Sequence, residues 1–212
     1  MKIAIIGATG KAGMLIMKEC LRKKYNVTAI VRDSSKLDGL SKIKILQKKI
    51  LDLTKKDLSS FDVIINAFGV SENNLLDQYI IFTTHLLSLL EGTKIRYIVV
   101  GGAGSLFTDN SHKMHVFESL SFPKEFLNIA IIRMKELDIL KASKNVRWTF
   151  FSPAIFFDEK GKETGKYIIG NDEVIMNSEN KSYISYADYA IALVDEIKNK
   201  NFINKQFTAV SN

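Results

Sequence analysis

The sequence predicts an α/β protein: a doubly wound parallel sheet with a small C-terminal cap. Three observations carry this reading. Short apolar runs alternate with longer amphipathic ones, several of those runs are nearly all apolar, and a glycine-rich turn follows the first. Strands covered by helices on both faces have no solvent side, so they read as continuous apolar stretches rather than alternating ones.

Taken in chain order, strands are expected over residues 2–6, 27–31, 43–46, 63–67, 97–100 and 147–152. Between them, helices are expected over 11–24, 75–91 and 123–143, with a short helical turn near 54–59. Pro123 suits the first turn of its helix, where a missing N–H is harmless. Tyr79, Phe82, Leu86 and Leu87 mark the buried face of the 75–91 helix. Helices of this kind also pack against a second copy, so a homodimer is an expectation. Residues 159–181 are broken by Gly161, Gly165 and Gly170-Asn171-Asp172 into short β-like pieces, expected to cap the sheet's C-terminal edge. A helix over 186–198 and a strand over 206–210 complete the chain. With 212 residues, two prolines and no Ser/Gly-rich linker, residues 1–212 read as one domain.

Hydrophobic residues make up 46% and charged residues 25%, enough for an ordinary buried core. No apolar run approaches the roughly 18–20 residues of a membrane span. The first apolar stretch enters a glycine turn at Gly7, unlike a secretory leader. A cytoplasmic, membrane-free protein is therefore expected. The single Cys20 offers no internal disulfide and reads as a small core residue of the first helix. The net charge of +7 is compatible with anionic ligands. Its lysines are scattered and accompany no nucleic-acid-binding motif, so they read as solvated surface and no nucleic acid is expected.

The strongest local signal is Gly7-Ala8-Thr9-Gly10-Lys11-Ala12-Gly13, set between an apolar strand and an amphipathic helix. Gly7 permits the tight turn, Gly10 lets backbone N–H groups approach a pyrophosphate, and Gly13 brings helix close to strand. The helix N-terminus adds unpaired N–H groups and positive dipole. This is the pattern of a Rossmann-type dinucleotide site; the bland alternative is a glycine turn with no ligand. The second strand ends in Arg32, followed by Asp33-Ser34-Ser35-Lys36. A guanidinium there matches a 2′-phosphate, whereas an acidic residue would bind the 2′-OH of NAD. NADPH is preferred and NADH stays open, since Arg32 can also be a solvated loop cation with Asp33 on the ribose. Lys11, Ser34 and Lys36 are further contacts to weigh.

Several segments together resemble the atypical short-chain dehydrogenases. They are Ile5-Ile6-Gly7-Ala8-Thr9-Gly10, Val31-Arg32-Asp33-Ser34-Ser35-Lys36, Asn66-Ala67-Phe68-Gly69, Val100-Gly101-Gly102-Ala103-Gly104-Ser105, Phe151-Ser152-Pro153-Ala154 and Ile184-Ser185-Tyr186-Ala187-Asp188. Within that group the chain is most similar to NmrA-like proteins, biliverdin reductase B-type flavin reductases and bacterial NADH-flavin reductases. The resemblance implies that Gly7, Thr9, Gly10, Lys11 and Ala12 hold the phosphates and Arg32 the 2′-phosphate. It places Ala67, Phe68 and Gly69 at the adenosine ribose, Gly101, Gly102 and Ala103 beside the nicotinamide, and Ser152, Pro153 and Ala154 over its carboxamide.

Three departures bear on chemistry. Relatives carry a Gly-Asp pair near adenine where this chain has Lys48-Lys49, leaving backbone near Ile50, or Asp52, for adenine; Asp52 reads equally as a cap of the following short helix. A serine or threonine is common where Gly102 stands, and Ser105 is the nearest hydroxyl. No Tyr-x-x-x-Lys pair follows the fifth strand: Tyr167 precedes Asn171 and Tyr186 precedes Ala190 at that spacing. Oxidation of unactivated alcohols needs such a pair to move the proton. Hydride transfer to a flavin or quinone does not, so an NADPH-dependent reductase of a planar acceptor is expected, with flavin as a candidate substrate. The alternative is a non-enzymatic NADP(H)-binding sensor of the NmrA type. Ser105 and His112 are weak catalytic candidates; His112 and His115 read equally as loop residues, and no carboxylate or cysteine cluster suggests a metal. Lys135 lies where some relatives have a functional lysine, or pairs with Glu136 at the surface. Phe107, Phe117, Phe122, Phe126, Phe156 and Phe157 wall an acceptor pocket or belong to the core.

Overall fold

Strand β1 (Lys2–Ile6) buries four of its five side chains and leads directly into the glycine turn. Helix α1 (Lys11–Arg22) then buries Gly13, Ile16, Met17 and Cys20, the i, i+3, i+4, i+7 spacing of one helical face. It stops two residues short of the expected end, and Lys24 adopts a left-handed conformation at φ 60°. The chain is seen here in a computed structural model that describes residues 1–37, 43–70 and 72–212. Part of the Arg32 loop, 38–42, lies outside the described residues, as does position 71.

The remaining elements follow with few surprises. Strands β2 (Asn26–Val31), β3 (Lys44–Gln47), β4 (Val63–Asn66), β5 (Arg96–Val100) and β6 (Arg147–Ser152) are all parallel to β1. Between β3 and β4, Thr54 and Asp57 form a reciprocal capping box on the short α2 (Lys55–Leu58). Helix α3 (Gln78–Leu90) is preceded by a separate tight turn at Asn73–Leu75, and α4 (Leu127–Ala142) by one at Lys124–Phe126. Pro123 therefore stands ahead of that tight turn rather than within the first turn of α4.

The C-terminal segment does two things. Short strands β7 (Phe156–Asp158) and β9 (Tyr183–Ser185) pair as a parallel ribbon beyond the end of β6. Strand β8 (Tyr167–Gly170) instead joins the main sheet, antiparallel to β10 (Lys205–Ser211), as its edge. Helix α5 (Tyr186–Asn199) connects ribbon to β10. The sheet order is β3-β2-β1-β4-β5-β6-β10-β8, a Rossmann-like α/β arrangement. One core cluster packs α1 and α5 on one face of the sheet; a second packs α3 and α4 on the other. No helix among the described residues is long and apolar enough to cross a membrane.

Cys20 is fully buried, and burial pushes its thiol up to about 12. A thiol so desolvated is scarcely nucleophilic. Native protein is therefore expected to react with a thiol-specific reagent only as fast as it opens, with stoichiometric reaction in denaturant. Rapid native labelling would contradict the core assignment.

Candidate functional site

The order of strands reverses between β1 and β4, so their C-terminal ends diverge into a crevice, the place where open α/β sheets bind ligands. Gly7 takes φ +75°, and a Cβ there would stand 2.5 Å from the Ala67 carbonyl oxygen. The turn thus lies directly against the exit of β4, whose Ala67 N–H donates to Ile6 O at 2.9 Å. A Cβ on Gly13 would stand 2.2 Å from Gly7 O, which sets how closely α1 approaches the turn. Gly10, at the N-cap of α1, provides no side-chain cap, and the first turn contains no acidic residue. Backbone N–H groups at this end are left for an anion.

Lys11 opens α1, and its Nζ meets Glu159 Oε2 at 2.5 Å, joining the start of α1 to the segment after β7. Arg32 is exposed just beyond β2. The Asp33 carboxylate accepts from both the N–H and the hydroxyl of Ser35, at 2.9 Å each. Those bonds hold Asp33 below the usual carboxylate range. The Ser34 hydroxyl donates to Gln47. Asp52 is exposed in a tight turn, Ile50–Asp52, and does not cap α2, since Thr54 takes that position.

At the exit of β4, Asn66 is buried. Its amide donates to the Tyr97 hydroxyl at 2.9 Å, while its oxygen accepts the Phe68 N–H at 3.1 Å. Phe68 stands edge-on to Tyr79 and Phe82, and the Tyr79 hydroxyl both receives from and donates to the Val70 backbone. Gly101 N–H donates to Phe151 O, and Gly102 faces the stem of Arg133, whose Cβ and Cγ lie 3.5 Å from an ideal Cβ. Ser152, Pro153 and Ala154 are buried at the end of β6. Among the described residues, a Cβ on Gly10 would meet Gly7 O at 3.2 Å and one on Gly69 the Tyr79 hydroxyl at 3.8 Å. Side-chain bulk is therefore sparse at Gly10 and Gly69, while Gly102 packs on the Arg133 stem.

Sequence reasoning missed the group that braces this floor. Arg133 of α4 is 6% exposed and Glu136 wholly buried. Arg133 Nη1 meets Glu136 Oε2 at 2.5 Å, and its Nη2 donates to Val100 O. The guanidinium also lies over the Tyr79 ring, 4.5 Å from its centroid. Glu136 accepts from Thr83 at 2.6 Å. So Glu136 is no surface partner of Lys135, which is exposed; Arg133 is the α4 residue beside Gly102.

The two catalytic candidates lie in different surroundings. Ser105 is fully buried; its hydroxyl bonds Gly102 O, lies 3.2 Å from Ser152 Oγ, and receives from Gln206. His112 lines a separate cavity with Trp148 and Lys205, whose walls include none of the expected cofactor contacts. His115 braces its own loop, its Nδ1 lying 3.0 Å from Ser105 O. The absence of a carboxylate cluster is also corrected, because Asp172 and Glu173 stand beside His112. Of the candidate pocket phenylalanines, Phe126 and Phe156 are exposed, whereas Phe157 packs against the core on the α1 and α5 face and stacks on Tyr186 at 3.8 Å. Tyr186 interacts with Glu159 and Lys11, and burial raises its phenol above the ordinary range. A proton-shuttling tyrosine needs the opposite shift.

Comparison with known proteins fits this geometry. Residues 7–200 match the model of a family described as NAD(P)H-binding. The chain belongs to that family. It is of the atypical short-chain dehydrogenase type, and it binds a nicotinamide cofactor. It is 44% identical to the uncharacterized protein YwnB of Bacillus subtilis, over 100% of this chain and 99% of that protein. A Streptococcus pneumoniae protein whose crystal structure carries the description "a putative NADH-flavin reductase" is 38% identical, with a TM-score of 0.95 and full coverage of both chains. A Lactobacillus casei protein is 30% identical, with a TM-score of 0.89 over 100% of this chain and 99% of that one.

Proposed function

We propose that this NAD(P)H-binding protein is a reductase that uses NADPH to deliver hydride to a flavin, quinone or similar planar acceptor. The observation that carries the reading is the composition of the cleft's nicotinamide end. Gly102 stands where a hydroxyl would serve, the nearby Ser105 hydroxyl is buried in its turn against Gly102 O and Gln206, and the Tyr186 phenol, which interacts with Lys11 and Glu159, is raised rather than lowered. Such a site has little to offer an alcohol or ketone that needs a proton moved in the transition state. When bound, the cofactor supplies the hydride. The chain's part is to hold the dinucleotide along the glycine turn, brace the floor through Arg133, and leave a face on which a flat acceptor stacks. An electron-poor ring then takes its proton from water.

The deciding experiment mixes purified protein with NADPH and FMN or a quinone and follows the loss of nicotinamide absorbance. Saturable turnover well above the uncatalysed rate is expected. Tight cofactor binding without turnover across a broad acceptor panel would overturn the enzyme and favour a sensor of the NmrA type.

Cofactor choice has its own test. Arg32 is exposed just beyond β2, where a guanidinium suits a 2′-phosphate. A charge-assisted contact of this kind contributes about 1.5–3 kcal/mol, or roughly 10–100-fold in affinity. Arg32→Ala is expected to weaken NADPH by that factor and to leave NADH nearly unchanged, as read by calorimetry. Equal losses for both nucleotides would remove the 2′-phosphate role.

A further inference from the structure

A cluster outside the cofactor cleft combines an imidazole with two carboxylates. It lies in a cavity of about 660 Å³ on the sheet face occupied by α4, between Lys141, Trp148 and Lys205 on one side and the turn after β8 on the other. His112 Nε2 stands 3.7 Å from Asp172 Oδ1 and 3.9 Å from Glu173 Oε2, and the three ligand atoms all lie within 4.8 Å of one another. Donors about 2.0–2.2 Å from a zinc ion in a tetrahedron are separated by roughly 3.3–3.6 Å. The three atoms are thus within a small side-chain adjustment of a shared ion.

The backbone holds them there. His112 stacks flat on Phe107, with centroids 4.3 Å apart and an interplanar angle of 3°. The Phe107 N–H donates to Asp172 O at 2.8 Å, and its carbonyl accepts from Val174 N–H at 2.9 Å. The ring and both carboxylates therefore sit on two segments already hydrogen-bonded to each other. Gln206 lines the same cavity and is 6% exposed, and its Nε2 donates to Ser105 and Ser152 at 2.9 Å each, which ties the cavity wall to the segment that carries Ser105.

We propose that His112, Asp172 and Glu173 bind one divalent transition-metal ion, Zn²⁺ by preference, with water completing its coordination. One imidazole with two carboxylates suits a borderline ion such as Zn²⁺ better than Mg²⁺ or Ca²⁺, which take all-oxygen sets. The ion clamps the loop that follows Ser105 onto the turn after β8, and so steadies Gly101–Ser105 from behind. The proposal is independent of the acceptor chosen above.

The full chain, stripped with a chelator and exchanged into metal-free buffer, is titrated with ZnCl₂ by calorimetry, then with CoCl₂ while the visible spectrum is followed. Saturation at one ion per chain is expected, with Co²⁺ showing ligand-field bands and MgCl₂ giving no heat. His112→Ala and the double variant Asp172→Asn/Glu173→Gln should each bind at least roughly tenfold more weakly, the low end of what even an outer-shell change costs a metal site. All three side chains are partly exposed, and unchanged circular dichroism would confirm that the variants fold. A simple ion pair between histidine and carboxylates predicts no saturable uptake. That result, or uptake untouched by both variants, overturns the proposal.

Discussion

Gly13→Ala is expected to lose dinucleotide binding and about 3 kcal/mol of stability together. The added Cβ would stand 2.2 Å from Gly7 O and 2.9 Å from its carbonyl carbon, both backbone atoms of a turn pinned against Ala67. A flexible side chain could move aside; this turn has nowhere to go. Helix α1 must retreat by roughly 1 Å, a large displacement in an interior packed as densely as an organic crystal. Its first-turn N–H groups would then no longer meet a diphosphate at hydrogen-bonding distance. Urea denaturation and calorimetry with NADPH read the two losses. Wild-type affinity with wild-type stability would show that α1 does not depend on this contact.

Arg133→Met should be costlier still, about 3–5 kcal/mol, because it leaves the Glu136 carboxylate buried without its cation. Burial already disfavours the ionised form of Glu136 more than Arg133 and Thr83 favour it, so the variant's Glu136 is expected to fold protonated or not at all. The pair as a unit is a different matter, since a buried ion pair replaced by apolar groups of similar volume is often neutral. Arg133→Met/Glu136→Leu should accordingly recover most of the loss in urea denaturation. It should nevertheless bind NADPH less well, because Val100 O and the Tyr79 ring beside Gly102 have lost their guanidinium. A double variant as unstable as the single one would show that Arg133 acts through something other than charge.

What could be read from the sequence was what neighbours in the chain decide. The glycine turn is a local steric statement, and the 13, 16, 17, 20 spacing announces the buried face of α1. The same arithmetic places Arg133, Glu136, Leu137 and Leu140 on one face of α4, and all four are buried. Reading Lys135 and Glu136 as a surface pair gave adjacency more weight than helical period. Thr54 and Asp57 carried a capping signature that went unused while Asp52 was weighed as the cap. Other features depend on contacts no spacing announces. Asp172 and Glu173 reach His112 from sixty residues away, and β8 becomes an edge strand only because β10 has already taken its place in the sheet.

That place has a consequence for how the chain assembles. Strand β10 lies between β6 and β8, with Lys205 opposite Thr149. The link cannot zip from a hairpin, since ribbon, edge strand and α5 intervene, and loop closure must precede any reward. The buried Arg96–Glu196 pair, which reaches from the start of β5 to the end of α5, can form only once that helix has docked. The pairing that seats the glycine turn is no shorter in reach, since Ile3 stands opposite Val63, so both the nucleotide end and the far edge wait on contacts between distant parts of the chain.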